Sequence, residues 1–215
     1  MEMNYNISQL FAESFGLKVN QGYSPEIVSG KANDPKGIYE GISFTDDLQQ
    51  SEKMSHLGTP VLFPITFSAG SYKKYDESGR IVSSNLSDFT LPYSCVIDFN
   101  RPKIISKTNM SNGYGTVKEI FGFDDWQIDI KGFFLPQPNH PQGLISPYDQ
   151  ENMMNSWDEL ACSIAVENKL FTNREIASIT IEDFKVGSQR GRPNVRPFTI
   201  RATSNDPIEL EISLL

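Results

Sequence analysis

Little in this sequence points to catalytic chemistry. Of 215 residues, two are cysteine (Cys95 and Cys162) and two are histidine (His56 and His140). Two cysteines exclude a disulfide scaffold and a four-cysteine zinc site, and they read as free, buried thiols of a cytosolic chain. His56 lies just before Gly58 and Pro60, and His140 sits inside Pro138-Asn139-His140-Pro141. Both read as loop residues at the surface. A triad or a two-histidine metal site would need them to converge from unrelated loops. No stretch approaches the ~18 consecutive apolar residues of a membrane span. Met1 to Gly16 has no basic n-region and carries Glu2, Asn4, Asn6 and Glu13, so no secretory signal is expected. The sequons at Asn6, Asn85 and Asn109 then read as chance matches. Basic charge is also short: 19 Lys and Arg stand against 27 Asp and Glu, a net charge of -8. That balance argues against a partner whose recognition runs through phosphates.

What is present suffices for a packed core. Hydrophobic residues make up 38% of the chain and aromatics 11%, too apolar for wholesale disorder. Ile7, Leu10, Phe11 and Phe15 form one apolar stripe on a short helix, with Asn6 as N-cap and Gly16 as stop. The stripe suits either a docking helix of its own core or an arm packed on a neighbouring subunit. Gly22 to Gln50 mixes turn signals with isolated hydrophobics, and Ile38, Glu40, Ile42 and Phe44 suggest one strand. So long an irregular segment is unusual inside a compact domain, so residues 1–57 read as an arm whose partners come from other chains.

From residue 58 the pattern turns β. Val61, Phe63, Ile65 and Phe67 alternate, with Pro64 marking an edge or bulge. Tyr72 to Tyr75, the turn Asp76-Glu77-Ser78-Gly79 and Arg80-Ile81-Val82 read as a hairpin. Ser94 to Phe99 and Lys103 to Thr108 are further strands. The cleanest alternation runs from Thr116 to Leu135 and predicts a hairpin turning at Phe123-Asp124-Asp125, one face buried and one polar. Pro147 and Asp149 open a helix carrying Met153, Met154, Trp157, Leu160 and Ala161, a stripe that reads as core. Strands resume at Ile164-Ala165-Val166, Leu170-Phe171, Ile176 to Val186 and Val195 to Thr203, with a final edge strand at Ile208 to Ile212. The expected fold is mainly β (α+β): a β-rich body over residues 58–215, one flanking amphipathic helix and an extended N-terminal arm over 1–57.

Candidate chemistry fails on spacing. Gly113-Tyr114-Gly115-Thr116 lacks the third glycine and the following helix of a phosphate loop. Asp124, Asp125 and Asp129 lack calcium-loop spacing. Glu151, Asp158 and Glu159 could be imagined as a glycan-cleaving pair, but helix-surface carboxylates read as solvated charge. No catalytic, cofactor or metal residue is assigned, and no cofactor is expected. Arg190, Arg192, Arg196 and Arg201 gather in an otherwise acidic chain, and guanidinium forks match carboxylates on a neighbour. Subunit-contact candidates are therefore Ile7, Leu10, Phe11, Phe15, Arg190, Arg192, Arg196 and Arg201. A carbohydrate-binding module would instead use Trp126, Tyr72, Tyr75 or Tyr114 as stacking platforms, which requires that Trp126 be exposed.

The runs Lys103 to Thr108, Gly115-Thr116-Val117-Lys118-Glu119 and Asp125 to Gly132 resemble an uncharacterised family of tailed-phage proteins encoded among tail and baseplate genes. Gly58 to Val61, Leu91-Pro92, Ser163 to Asn168, Arg196 to Ile200 and Ser204-Asn205-Asp206 are similar to it as well. The resemblance implies a β-barrel or β-sandwich body with one flanking helix, in a non-enzymatic structural protein of a phage or phage-derived tail, a ring-former (a hexamer) at the tail tip, baseplate or tail-tube adaptor. Its implied partners are other copies of itself and tail-tube, baseplate or tape-measure proteins, with no membrane and no specific nucleic acid. Its implied location is the virion tail, and the host cytoplasm during assembly.

Overall fold

The computed structural model describes residues 7–16, 43–44, 47–56, 61–109, 115–137, 140–187 and 194–205. Its centre is one antiparallel sheet of seven strands. In spatial order these are β6 (Phe89–Thr90), β3 (Thr66–Phe67), β11 (Ile164–Glu167), β12 (Ser178–Val186), β13 (Arg196–Ser204), β10 (Gln127–Phe134) and β7 (Val96–Asn100). β6 and β7 are its edges, and three two-stranded sheets accompany it among the described residues. The mainly β expectation holds.

β10 carries the core. Ile128, Ile130 and Phe134 point to one face and join Phe67, Phe89, Ile179, Phe198 and Ile200 in the main cluster. Phe134 stacks on Phe198 at 4.3 Å between ring centres. Gly132 is the residue that lets this face close: a Cβ there would meet Cys95 Sγ at 2.7 Å and Phe198 at 2.8 Å. The helix α3 (Pro147–Asp158) covers this face with Met154 and Trp157, both fully buried, as the stripe predicted. Ser146 caps it by accepting from Tyr148 N, and Pro147 takes the first turn, where a missing N–H does no harm. Gln150 Nε2 donates to the carbonyls of Leu135 and Leu144, each at 2.9 Å, tying α3 to the end of β10.

The opposite face at that end belongs to α1 (Ile7–Phe15). Leu10 and Phe11 are buried with Phe133, Leu135 and Val195. Phe11 meets Phe133 edge-on at 5.0 Å, and Phe15 lies 5.3 Å from the same ring. Gly16, at φ +66°, donates to Ala12 O at 3.1 Å and ends the helix. The apolar stripe is thus satisfied by its own chain, which corrects the reading of Leu10 and Phe11 as subunit contacts. The Ile7 side chain, Arg190 and Arg192 lie outside the described residues, as do Tyr114 and the strand expected at 208–212.

Other expectations change in detail. Pro64 does interrupt its strand: β2 (Val61–Leu62) and β3 are separate, and β2 pairs in parallel with β1 (Ser43–Phe44). The polar helix α2 (Leu48–His56) was not expected; Asp47 starts it by accepting from Gln49 N at 2.9 Å, and His56 closes it. Leu170-Phe171 is not strand but a helical turn, α4 (Lys169–Thr172), capped by Asn168 Oδ1 accepting from Leu170 N at 2.7 Å. The hairpin of β4 (Gly70–Tyr75) and β5 (Ile81–Leu86) forms as read, with Asp76 Oδ1 accepting from Ser78 N and Arg80 N.

The largest departure concerns Thr116 to Leu135. β9 (Thr116–Phe123) does not pair with β10. It pairs with β8 (Lys103–Asn109) in a separate two-stranded ribbon, while β10 sits between β7 and β13. Asp124-Asp125 is therefore a connection between two sheets and not a hairpin turn.

Candidate functional site

Every residue of the β8–β9 ribbon is exposed except Gly122, which is half-buried. This does not match the expected buried face. Ile120, Phe121 and Phe123 are 63%, 68% and 58% exposed, and Ile104, Ile105 and Val117 are exposed with them. The register fixes the faces. Ile105 opposes Ile120 and Lys107 opposes Lys118 on one side; Ser106 opposes Glu119 and Thr108 opposes Val117 on the other. A shift between Ile104 and Ile105 leaves Phe121 as the extra residue of a bulge, next to Gly122 at φ +157°. A lone two-stranded ribbon is marginal in water, and a contiguous exposed apolar surface marks a place of contact.

The foot of the ribbon is pinned. Arg101 lays its guanidinium 5.0 Å from the Phe123 ring and 5.3 Å from Trp126, and its Nε donates to Asp124 O at 3.3 Å. Arg174 sits 4.1 Å over Phe99 and 5.8 Å from Trp126. Such contacts are worth about 0.5–1 kcal/mol each at exposed sites. Trp126 is half-buried, its ring engaged by Phe99 and the two arginines. Tyr72 is buried and donates its hydroxyl to Ser68 O at 2.6 Å. Of the four stacking platforms considered for a carbohydrate, these two are occupied by the fold itself. Tyr75, at 60% exposure, lies on the β4–β5 hairpin beside exposed Ile81 and Val82.

The arginine cluster disperses. Arg196 forms a two-pronged pair with Glu151, Nε to Oε2 at 2.5 Å and Nη2 to Oε1 at 2.9 Å, and lies 4.9 Å over Tyr148. It joins β13 to α3 within one chain, so Arg196 is not a free subunit contact and Glu151 is not solvated charge. Arg201 lies opposite Asp129 in the sheet register, 3.6 Å away and exposed. Asp158 is held above the usual carboxylate range by burial first, then by the charges of Asp183 and Glu159.

His140 is buried, not at the surface. Its Nδ1 accepts from Gln142 N at 3.2 Å, so its Nε2 carries the proton and donates to Thr90 O at 3.1 Å. Gln142 Nε2 also donates to Thr90 Oγ1 at 3.2 Å. Together they clamp the short edge strand β6. Burial lowers the His140 pKa; the bond to Thr90 opposes that shift. Burial raises the Cys95 thiol far above its ordinary value, and Cys95 and Cys162 are unpaired thiols. Among the described residues no group of three or more His, Cys, Asp or Glu side chains could hold a metal, and no helix is long and apolar enough to cross a membrane.

Residues 90–214 match the family described as Domain of unknown function (DUF6046). No curated protein matches. Two solved structures are similar over 64% of this chain and 92% of theirs. One is the tail of an empty gene transfer agent particle with C6 symmetry (11% identity, TM-score 0.30). The other is the virion of a native gene transfer agent particle (12% identity, TM-score 0.27).

Proposed function

The chain belongs to the DUF6046 family, and because that family is described without a function, we propose a role from the chain's own surfaces. It is a structural subunit of a phage or phage-derived tail, a ring-former at the tail tip, baseplate or tube adaptor that docks neighbouring tail proteins. The observation that carries this reading is the β8–β9 ribbon, with six large apolar side chains exposed on a fold whose core is complete without them. Tyr75, Ile81 and Val82 offer a second exposed apolar surface on another hairpin. Two different surfaces on one subunit suit head-to-tail contacts, which close into rings when the rotation allows. The resemblance of Gly115 to Glu119 and its flanking runs to tail proteins points the same way.

The role is mechanical and uses no cofactor, no membrane and no specific nucleic acid. Residues 1–57 serve as the docking arm, anchored on the body of 58–215 through Leu10 and Phe11. Partners are further copies of the chain, six to a ring, with tube, baseplate or tape-measure proteins above and below. The subunit works in the virion tail after assembly in the host cytoplasm. Sedimentation velocity over a concentration series, with negative-stain images of the products, tests it. Rings or higher oligomers are expected, and Ile120→Ser with Phe121→Ser should reduce them to monomer. A monomer at every concentration, alone and with tail proteins, overturns the reading.

A further inference from the structure

The register sorts the charges of the β8–β9 ribbon by face. Lys107 opposes Lys118, Ile105 opposes Ile120 and Lys103 opposes Phe123. Alternation along β8 sets these three rows on one face. Ile105, Ile120 and Phe123 are exposed there. Glu119, the one acid of the two strands, opposes Ser106 on the other face. Lys107 and Lys118 make no ion pair among the described residues, and like charges so opposed repel. A second ribbon laid on this face would add more lysines, so ribbon does not suit ribbon. The partner that fits is apolar and acidic at once.

The same chain carries such a surface elsewhere. α3 ends at Asp158, with Glu159 as its C-cap and no basic residue in its last turn. Carboxylates there meet the negative end of the helix dipole, where cations are favoured. The charge of Asp183 on β12 bears on Asp158 as well. Glu159 has Lys74 at 3.5 Å and Asp183 has Lys185 at 2.5 Å. Asp158 has no ion pair among the described residues. The apolar part comes from the β4–β5 hairpin. Ala161 N donates to Lys73 O at 2.7 Å, which fastens the chain just past α3 to β4. Val82 opposes Lys74, on the side of the hairpin that meets Glu159, and Tyr75 opposite Ile81 forms the next row towards the tip. All three apolar side chains are exposed. β12 lies three strands from β7, the edge strand that runs on into the ribbon, or about 14 Å at strand spacing. One subunit thus bears the basic face and the acidic face at separate places, as head-to-tail contact requires.

We propose that the lysine face of the ribbon of one copy docks on the acidic end of α3 in the next copy. Lys107 and Lys118 meet Asp158 and Glu159, and Ile105 and Ile120 meet Val82 and the hairpin tip. The lysines relieve the acids at the helix end, and the apolar side chains of both surfaces leave water together. Charges matched in this way fix the register and disfavour ribbon on ribbon. The pairing rests on the self-assembly reading and names the two surfaces that join.

Sedimentation velocity on two full-length variants and their mixture tests it. Lys107→Glu with Lys118→Glu sets acid against acid, and Asp158→Lys with Glu159→Lys sets base against base. Each variant alone should need about tenfold or more protein to reach the oligomer that the wild type forms. Mixed one to one, each reversed ribbon meets a reversed acceptor and each unchanged ribbon an unchanged one. Alternating copies should then assemble at the wild-type concentration, and that recovery shows that both variants fold. Where a reversal lowers the urea midpoint, Lys107→Gln with Lys118→Gln and Asp158→Asn with Glu159→Gln take its place, and each pair should weaken assembly by itself. A wild type that assembles beside variants that assemble equally well overturns the pairing and leaves self-assembly standing. Loss in the ribbon variant alone, or loss in both folded variants without recovery on mixing, gives the ribbon another partner and overturns the pairing too. A wild type that stays monomeric at every concentration overturns the self-assembly reading, and the pairing with it.

Discussion

β9 and β10 are neighbours in the chain, eight residues each; apolar and polar side chains alternate in β10 from Gln127 to Lys131, whereas β9 sets Ile120 and Phe121 side by side. Their fates are opposite. β10 lies between β7 and β13 with α3 and α1 over its two faces, and five of its eight residues are buried. Among the described strands β9 has only β8 beside it, and none of its residues is buried. Alternation states that a segment can be a strand with a wet face and a dry face. It does not say what dries the second face. In β10 the same chain supplies the cover; in β9 the apolar side chains remain outside, which is why the ribbon carries the functional reading.

Substitutions should separate the two regions. The largest effect is expected in the body. Trp157→Ala removes a fully buried ring packed 5.3 Å from Phe67 and 5.2 Å from Tyr72, and should cost about 3–5 kcal/mol in urea unfolding. A loss under 1 kcal/mol would mean that this core is not the stabilising one. Gly132→Ala drives a methyl into Cys95 and Phe198, with an expected loss of about 1–3 kcal/mol and a lower Tm. A neutral result would show that β10 can shift away from β7.

A smaller effect is expected from acid. The folded state disfavours protonation of His140, because burial lowers its pKa and its Nδ1 already accepts a hydrogen bond. The unfolded state binds the proton more readily, so this contribution is fully present above the ordinary histidine value near 6.5 and declines as pH falls below it. Urea midpoints at pH 7.5 and 5.5 should show the decline, and His140→Gln should flatten it. An unchanged pH slope in that variant would assign the acid sensitivity elsewhere. The smallest effect on folding is expected in the ribbon: Ile120→Ser with Phe121→Ser should leave monomer stability within about 0.5 kcal/mol. A drop of 2 kcal/mol or more would place the ribbon in the body and undo the contrast.

Much of the fold is legible locally. The N-terminal helix, the Met154–Trp157 stripe and the Asp76–Gly79 turn each depend on spacing and turn chemistry within a few residues. A short apolar pair such as Leu170-Phe171 fits strand or helix alike, and the Asn168 cap two residues before Leu170 is the signal that separates them. Asp47 was the corresponding signal for α2. His140 stands in a Pro-rich loop of a kind that is usually exposed, whereas this one folds back to hold β6 through Thr90. The arginine cluster failed for a related reason: Glu151, the partner of Arg196, is 45 residues away in sequence.

By itself, then, the sequence determined an acidic, mainly β chain, thiol-poor, with one short helix ending at Phe15 and another opening at Pro147. Those are matters of composition and period, which each segment carries alone. Only the tertiary structure decided that β9 leaves β10 for β8, that Leu10 and Phe11 serve their own core, and that the ribbon keeps its apolar faces in water. Strand pairing and burial depend on which distant surfaces meet, and local periodicity is the same whether a partner arrives or not.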